Sequence, residues 1–259
     1  MNVAPETDVP PVLEVRAVSK HFGGVVALSH GDFQLRPNEV HAIVGDNGAG
    51  KSTMLKILAG VHQPDGGQVL IDGRPVTIPS PNAARAHGIA AVYQDLALVD
   101  HLDVSANLFL GREQFRRPPL SWFGVLNQAA MRRRAVSEVR RLKVGVRSVD
   151  QLVGGMSGGQ RQAIAVARAV AFGSRVIIMD EPTAALGVRE SAAVLELIRE
   201  VRTQGLAVIM ISHNLPEVFA VADRVTILRL GQTVRTIDRS DTDLESIVGF
   251  MTGAIGVVG

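Results

Sequence analysis

Short apolar runs alternate along this chain with longer amphipathic stretches, and each predicts an element. Val12–Val18 alternates apolar and charged residues, and Phe33–Leu35 does so on a smaller scale, so the chain opens as half-buried antiparallel strands. Val40–Val44 reads as a short buried strand running into a glycine-rich loop, followed by a helix from about Ser52 to Ala59 that closes at Gly60. Gln68–Ile71 and Ile89–Tyr93 are further strands, with Gly66, Gly67, Gly73, Pro79 and Pro81 marking turns. From Gln94 to Ala171 the period changes. Met131, Ala135, Val139 and Leu142 recur at helical spacing opposite Arg132, Arg133, Arg134, Arg140 and Arg141, so this third is read as a mostly helical insertion with a solvated arginine face. Val176–Met179 and Leu206–Ile211 are buried strands, and a helix between them carries one stripe of Val188, Ala192, Leu195, Ile198 and Val201, stopping at Gly205. Val225–Leu228 and Thr233–Thr236 form a closing hairpin around Gly231. Strands alternating with helices predict an α/β fold with a mainly parallel sheet.

Composition narrows the classes. With 259 residues the chain is long enough for one large α/β domain or two small ones, and its 20% charged residues are ordinary for a globular protein. A formal charge of +2 gives no argument for a nucleic-acid partner. The absence of cysteine excludes disulfides and thiolate metal sites and suits a reducing compartment. Met1–Pro11 lacks the basic-then-apolar order of a signal peptide and is read as a disordered lead, with 254–259 as a tail. No apolar run approaches the roughly 18 to 20 residues that span a bilayer, so any membrane role comes through a partner.

Three segments carry candidate chemistry. Gly45-Asp46-Asn47-Gly48-Ala49-Gly50-Lys51-Ser52 lies between a strand and a helix and fits a phosphate-binding loop in full. The glycines let backbone amides curl around an anion at a helix N-terminus; Lys51 reaches the β- and γ-phosphates of ATP, and the Ser52 hydroxyl is placed for Mg²⁺. The buried run Val176–Met179 ends in Asp180 and Glu181 at a strand's C-terminal edge, where one carboxylate can hold Mg²⁺ and the other polarise an attacking water. Met156-Ser157-Gly158-Gly159-Gln160 opens a helix from about Gln160 to Ala171 and makes a second anion-binding element. Two phosphate sites on one chain make sense if each nucleotide is sandwiched between two copies.

Taken in order, these segments resemble the ATPase subunit of an ABC transporter over nearly the whole chain. Met156–Gln160 resembles the family signature Leu-Ser-Gly-Gly-Gln, with methionine for leucine. Gln94 resembles the Q-loop glutamine that contacts Mg²⁺ and water, His213 the switch histidine at the γ-phosphate, and Phe22 the aromatic that stacks on adenine. The resemblance implies a P-loop NTPase with a RecA-like, mainly parallel sheet, an N-terminal antiparallel β subdomain and a helical subdomain at about 95–171, all within one domain over 12–253. It assigns ATP to Phe22, Gly45–Ser52 and Thr53, catalysis to Glu181, His213, Gln94 and Lys51, and Mg²⁺ to Ser52, Gln94 and Asp180. The other histidines, His41 and His101 among them, match no motif and are read as structural. After Glu181-Pro182-Thr183-Ala184-Ala185-Leu186 the family usually places an aspartate, and this chain has Gly187.

Val92–Leu98, Leu102–Glu113 and Asp223–Arg229 resemble ATPases of ribose, xylose and fructose importers, leaning towards fructose. The resemblance therefore implies a peripheral subunit on the cytoplasmic face of the inner membrane. Its partners would be a second copy of itself, separate permease subunits and, indirectly, an extracytoplasmic sugar-binding protein, with no nucleic acid. Importers of other solutes, such as amino acids, and ABC ATPases that act on nucleic acid share the same motifs. The lack of zinc-binding cysteines and the short stretch between Gln94 and Ser157 argue against the latter.

Overall fold

The computed structural model describes residues 10–255; the expectations for most of the 1–11 lead and of the 254–259 tail lie outside the described residues. The chain forms two compact units, one from residues up to 91, 174–181 and 201 onward, the other from 92–173 and 182–200.

The first unit is built on a ten-stranded sheet. Its antiparallel part consists of β1 (Leu13–Phe22), β2 (Val25–Leu35), β4 (Gly66–Ile71) and β5 (Arg74–Val76), in the order β5-β4-β1-β2. The sheet continues through β10 (Gln232–Asp238), β9 (Arg224–Arg229), β3 (Val40–Val44), β8 (Ala207–Ile211), β7 (Val176–Asp180) and β6 (Ile89–Val92). Of these, β9, β3, β8 and β7 are mutually parallel, while β10 returns antiparallel on β9 as the expected hairpin. Helices α1 (Lys51–Leu58), α2 (Pro81–Ala86), α7 (Leu215–Val221) and α8 (Leu244–Thr252) complete the unit.

All five residues of β3 are buried, and its period-2 alternation sorts them by face. Ala42 and Val44 join Val225 and Ile227 of β9 in a core cluster closed by Leu215 and Val218 of α7 and Ile247 and Phe250 of α8. Each such fully buried aliphatic side chain contributes about 1.5–3 kcal/mol. His41, on the other face, is wholly buried against the Phe33 ring at 4.5 Å. Its Nε2 meets the Thr226 hydroxyl at 2.7 Å, whereas Nδ1 stands 3.6 Å from the Glu39 carboxylate, too far for a hydrogen bond.

The second unit contains α3 (Val104–Phe109), α4 (Gln128–Arg141), α5 (Gly158–Val170) and most of α6 (Val188–Thr203). The α4 stripe of Met131, Ala135 and Val139 is buried as its spacing predicts. Its arginines are exposed, but several have partners: Arg132 pairs with Asp150, Arg141 with Glu138, and Arg134 donates to the Ala171 carbonyl. Asn107, fully buried, satisfies its whole amide: Nδ2 donates to the carbonyls of Val99, Leu102 and Asp103, and Oδ1 accepts from the Val99 amide. That set pins the 99–103 loop to α3.

Several expectations are corrected. Pro81 does not mark a turn; it occupies the first turn of α2, where its missing N–H costs nothing, and the Ser80 side chain caps the helix by accepting from the Ala83 amide. The α6 stripe is buried at Leu195, Ile198 and Val201 as expected, but not at its start. Val188 is 90% exposed and Ala192 also faces solvent, while Ser191, Val194, Leu195, Ile198 and Val201 are buried. Val188 is the first residue of the helix, before the buried face begins. The first strand runs on past the expected Val18 and ends at Phe22.

Burial holds the His41 ring below the ordinary imidazole pKa of 6.5, against the opposing pull of Glu39. The unfolded chain therefore binds a proton at this site more readily than the folded one, so stability falls as pH drops through and below about 6.5. Melting temperature measured across pH 5 to 8 is expected to show this slope, and His41→Gln, which keeps a donor for Thr226 without a titrating ring, is expected to flatten it. An equally steep profile in the variant would remove His41 as the cause.

Candidate functional site

The loop between β3 and α1 is shaped by contacts that admit no side chain. A Cβ on Gly45 (φ +154°) would lie 2.2 Å from the Leu228 carbonyl oxygen, and one on Gly50 (φ +101°) would lie 2.8 Å from the Ala27 carbonyl oxygen. Gly48 has open space but a φ of +83°, which only glycine adopts without strain. The turn is closed by the Ala49 amide donating to the Asp46 carbonyl and by Gly231 donating to the Ala49 carbonyl. Asp46, Asn47, Gly48 and Ser52 face solvent, Thr53 is half-buried, and Ala49 is buried beneath the loop.

Lys51 is the first residue of α1 and nearly buried. Its Nζ donates to the carbonyls of Gly45 and Asp46 at 2.6 and 2.9 Å, so the ammonium sits inside the loop's own curve. Burial pushes its pKa down, opposed by the charges of Glu181, Asp46 and Asp180. Asp180, the last residue of β7, is pushed up by burial and then by the neighbouring Glu181 charge. An amine and a carboxylate are thus both held in surroundings that penalise their charges. Glu181 has the left-handed φ of +50° while its amide still donates to the Ile211 carbonyl, which turns its side chain off the strand line. Its Oε1 lies 2.8 Å from Nδ1 of His213, a residue two positions beyond β8. The first unit therefore brings together a phosphate-sized loop, a lysine, two carboxylates and a histidine. Phe22, 43% exposed, makes an edge contact with His62, and Lys20 Nζ lies 5.6 Å from its ring centre.

Ser52 and Asp180 offer hard oxygen donors of the kind Mg²⁺ prefers, and Asp180 is raised by burial and by the Glu181 charge despite the opposing pull of Lys56 and Lys51. Among the described residues no cluster of three or more His, Asp or Glu side chains could hold a metal by itself. Such a donor set fits an ion that takes its remaining ligands from phosphates and water.

In the second unit Ser157 caps α5, which starts two residues earlier than expected and so takes Gly158 and Gly159 into its first turn. The capping box is complete: the Gln160 amide donates to Ser157 Oγ at 3.4 Å, and Gln160 Oε1 accepts from the Ser157 amide at 3.1 Å. Gln160 Nε2 also donates to the Gly145 carbonyl. A cavity of about 400 Å³ opens beside this turn, lined by Ser157, Gly159, Gln160, Arg189, Glu190 and Leu197 among others. Gln94 is exposed just after β6, and the loop behind it is tied to α5 by Arg168, which donates to the carbonyls of Leu96 and Ala97 at 2.6 and 2.8 Å. Sequence reasoning missed Arg168 and Glu190, since neither belongs to a short motif; an arginine spaced to follow the signature along one helix was the only signal for the first.

No helix among the described residues is long and apolar enough to cross a membrane. The family model described as "ABC transporter" matches residues 28–184. The chain is 49% identical over 247 residues to the fructose import ATP-binding protein FrcA of Rhizobium meliloti, covering 94% of this chain and 95% of that protein. It is 44% identical to the ribose import ATP-binding protein RbsA of Chromobacterium violaceum, covering 92% of this chain but 46% of that protein, so it spans about half of that relative's length. A nucleotide-free ATP-binding cassette from an ABC transporter superposes with a TM-score of 0.79 at 23% identity, covering 96% of this chain and 97% of that one, which is a likeness of fold. A dimeric post-hydrolysis cassette bound to ADP and phosphate gives a TM-score of 0.71 at 23% identity, over 88% of this chain and 98% of that one. With a glycine-walled loop, a carboxylate pair and a capped signature turn built as described, the chain belongs to the ABC transporter family.

Proposed function

We propose that this chain is the ATP-hydrolysing subunit that energises a sugar importer, with fructose as the favoured sugar. The observation that carries the reading is the convergence of Lys51, Asp180, Glu181 and His213 at the open end of the Gly45–Ser52 loop. The identity with a fructose import ATP-binding protein over nearly the full length of both chains supports the choice of solute.

ATP lies with its phosphates on the amides of Gly45–Lys51, next to Ser52 and Thr53, and its adenine on Phe22. Lys51 exchanges two carbonyl oxygens for phosphate oxygens, whose negative charge offsets the desolvation that lowers its pKa. Ser52, Asp180 and Gln94 would hold Mg²⁺, which supplies countercharge to the β- and γ-phosphates. Glu181, turned by its left-handed backbone and held by His213, orients the attacking water and accepts its proton, while His213 faces the γ-phosphate. Ser157, Gly158, Gly159 and Gln160 of a second copy close over the phosphate, so two chains make two equivalent sites. A dimeric cassette among the structures of like fold supports that arrangement.

The permease subunits dock near Gln94 and the helical unit, placing this chain at the cytoplasmic face of the inner membrane and, through them, under an extracytoplasmic sugar-binding protein. Trp122 and Phe123, each 79% exposed, together with Phe115 and Leu120, give that unit an apolar surface suited to a protein partner.

Glu181→Gln is expected to retain ATP binding while phosphate release falls at least about a hundredfold. Turnover near the wild-type rate would remove Glu181 from its role. The same variant with ATP is expected to elute as a dimer; a monomer at saturating ATP would contradict the two-chain site. Replacing Trp122 and Phe123 by alanine should move the protein from the membrane fraction of its host to the soluble fraction while ATP hydrolysis by the purified subunit stays unchanged. Undiminished membrane recovery would place the docking surface elsewhere.

A further inference from the structure

Phe22 is the last residue of β1 and pairs with Val25 across the turn Gly23-Gly24, two residues that restrict the backbone least, yet its ring is held from two sides. The Lys20 ammonium stands 5.6 Å from the ring centre, within cation–π range, and the His62 imidazole meets the ring at 5.0 Å with the planes 66° apart. Lys20 and Phe22 alternate along one strand and so lie on one face of it. Both supports are themselves anchored. Lys20 Nζ donates to Asp65 Oδ1 at 2.6 Å, and the lysine side chain is only 15% exposed. Asp65 Oδ2 accepts from the His21 amide at 2.7 Å, and the Asp65 amide donates to the Ser19 carbonyl, so one aspartate grips Ser19, Lys20 and His21 of β1 in succession. The bonds from Lys20 and then from the His21 amide hold its carboxyl down at about 2, which keeps it anionic at neutral pH. His62 hangs from α1: the amides of Val61 and His62 both donate to the Lys56 carbonyl. The helix that opens with Lys51 thus also sets where the imidazole stands.

These contacts leave Phe22 43% exposed, so the ring is fixed in place without being covered. An ammonium against an aromatic ring draws on its π-electrons, and the rest of that ring then stacks more strongly on an electron-rich heterocycle such as a purine. We propose that Asp65 is a positioning residue for the nucleotide base: by fixing the Lys20 ammonium against Phe22 it holds the ring ready to stack on adenine. This rests on the reading that adenine lies on Phe22. A ring ordered before its ligand arrives loses less rotamer freedom on binding, so the arrangement contributes affinity for the base and none for the phosphates. An Asp65 that only tied β1 to the turn ahead of β4 would leave a different trace. Its loss would loosen the segment that follows α1 and weaken every ligand of the phosphate loop alike.

The two are separated by comparing ATP with a ligand that has the phosphates and no base. In the full chain carrying Glu181→Gln, which suppresses turnover, binding of ATP and of tripolyphosphate, each with Mg²⁺, is measured by titration calorimetry. The parent is compared with Lys20→Met, Asp65→Asn, the two together, and Phe22→Ala. Either single substitution at 20 or 65 is expected to weaken ATP about three- to five-fold, the scale of one cation–π contact, and to leave tripolyphosphate unchanged. Because both act through one ammonium, the double variant is expected to lose no more than Lys20→Met alone. Equal losses for ATP and tripolyphosphate, or no loss for either, overturn the proposal, as does a double variant whose losses simply add. Should Asp65→Asn fail to fold, Lys20→Met, which removes the ammonium and keeps an unbranched stem, still decides between ATP and tripolyphosphate. ATP bound without loss by Phe22→Ala would place the base elsewhere and take this inference with it. Loss in Phe22→Ala with none at 20 and 65 would leave adenine on Phe22 and overturn the role of Asp65 alone.

Discussion

The contact on which the rest of the site depends is the approach of Gly45 to the Leu228 carbonyl, too close for any Cβ. It fixes where β3 ends relative to β9 and forces the backbone into a conformation that turns successive amides inward. The two strands pair in parallel through His41–Val44 and Arg224–Ile227, so the position of the loop is set by sheet register rather than by the loop's own flexibility. The Gly231 amide, at the turn of the β9–β10 hairpin, then anchors Ala49 from the far side. A hairpin remote in sequence thus helps to hold the phosphate loop. The parallel pairing of β3 with β8 and of β8 with β7 carries the same register to Asp180, Glu181 and His213.

Electrostatics gives this geometry its direction. Lys51 and Asp180 are displaced in pKa for the same reason, loss of water, and in the senses that disfavour each charge. The ammonium partly compensates by binding the carbonyls of Gly45 and Asp46, which are weaker partners than a phosphate. A site whose charges are desolvated and poorly matched gains more from a polyanion with a bound dication than a solvated site would, because little water must be reorganised when it arrives. The left-handed backbone of Glu181 belongs to the same economy of position: a strained residue persists because the β7 ladder on one side and His213 on the other hold it.

What the sequence revealed and what it concealed divide along contact range. Local chemistry was legible: a glycine-lysine-serine loop after a buried strand, a carboxylate pair at a strand end, Ser157 before a helix. The α4 stripe was legible because four apolar residues at helical spacing outweigh five arginines on the far side. The α6 stripe was legible from Leu195 onward and misread at its start, because Val188 precedes the buried face and Ser191 rather than Ala192 is buried. The Pro81 helix was hidden by proline's double use in turns and at helix starts. Glu190 and Arg168 were invisible for a stronger reason: the groups they meet, Gly159 and Leu96, are far away in sequence, and no local pattern marks such a pair.

Gly187 takes on a different meaning in this light. The family pattern favours aspartate there, and nothing in the packing forbids one: no atom lies within 4 Å of where its Cβ would stand, and its backbone is not left-handed. The obstacle would be electrostatic. The Gly187 amide donates to Glu190 Oε2, and a second carboxylate on that turn would sit beside a group already anionic. Like charges so placed raise each other's cost, and the weaker-held one moves away. Glycine at 187 leaves the turn with a single negative charge, on Glu190. The departure from the family pattern therefore moves the charge at this turn three residues on, to Glu190, whose stem packs against Gly159 of α5.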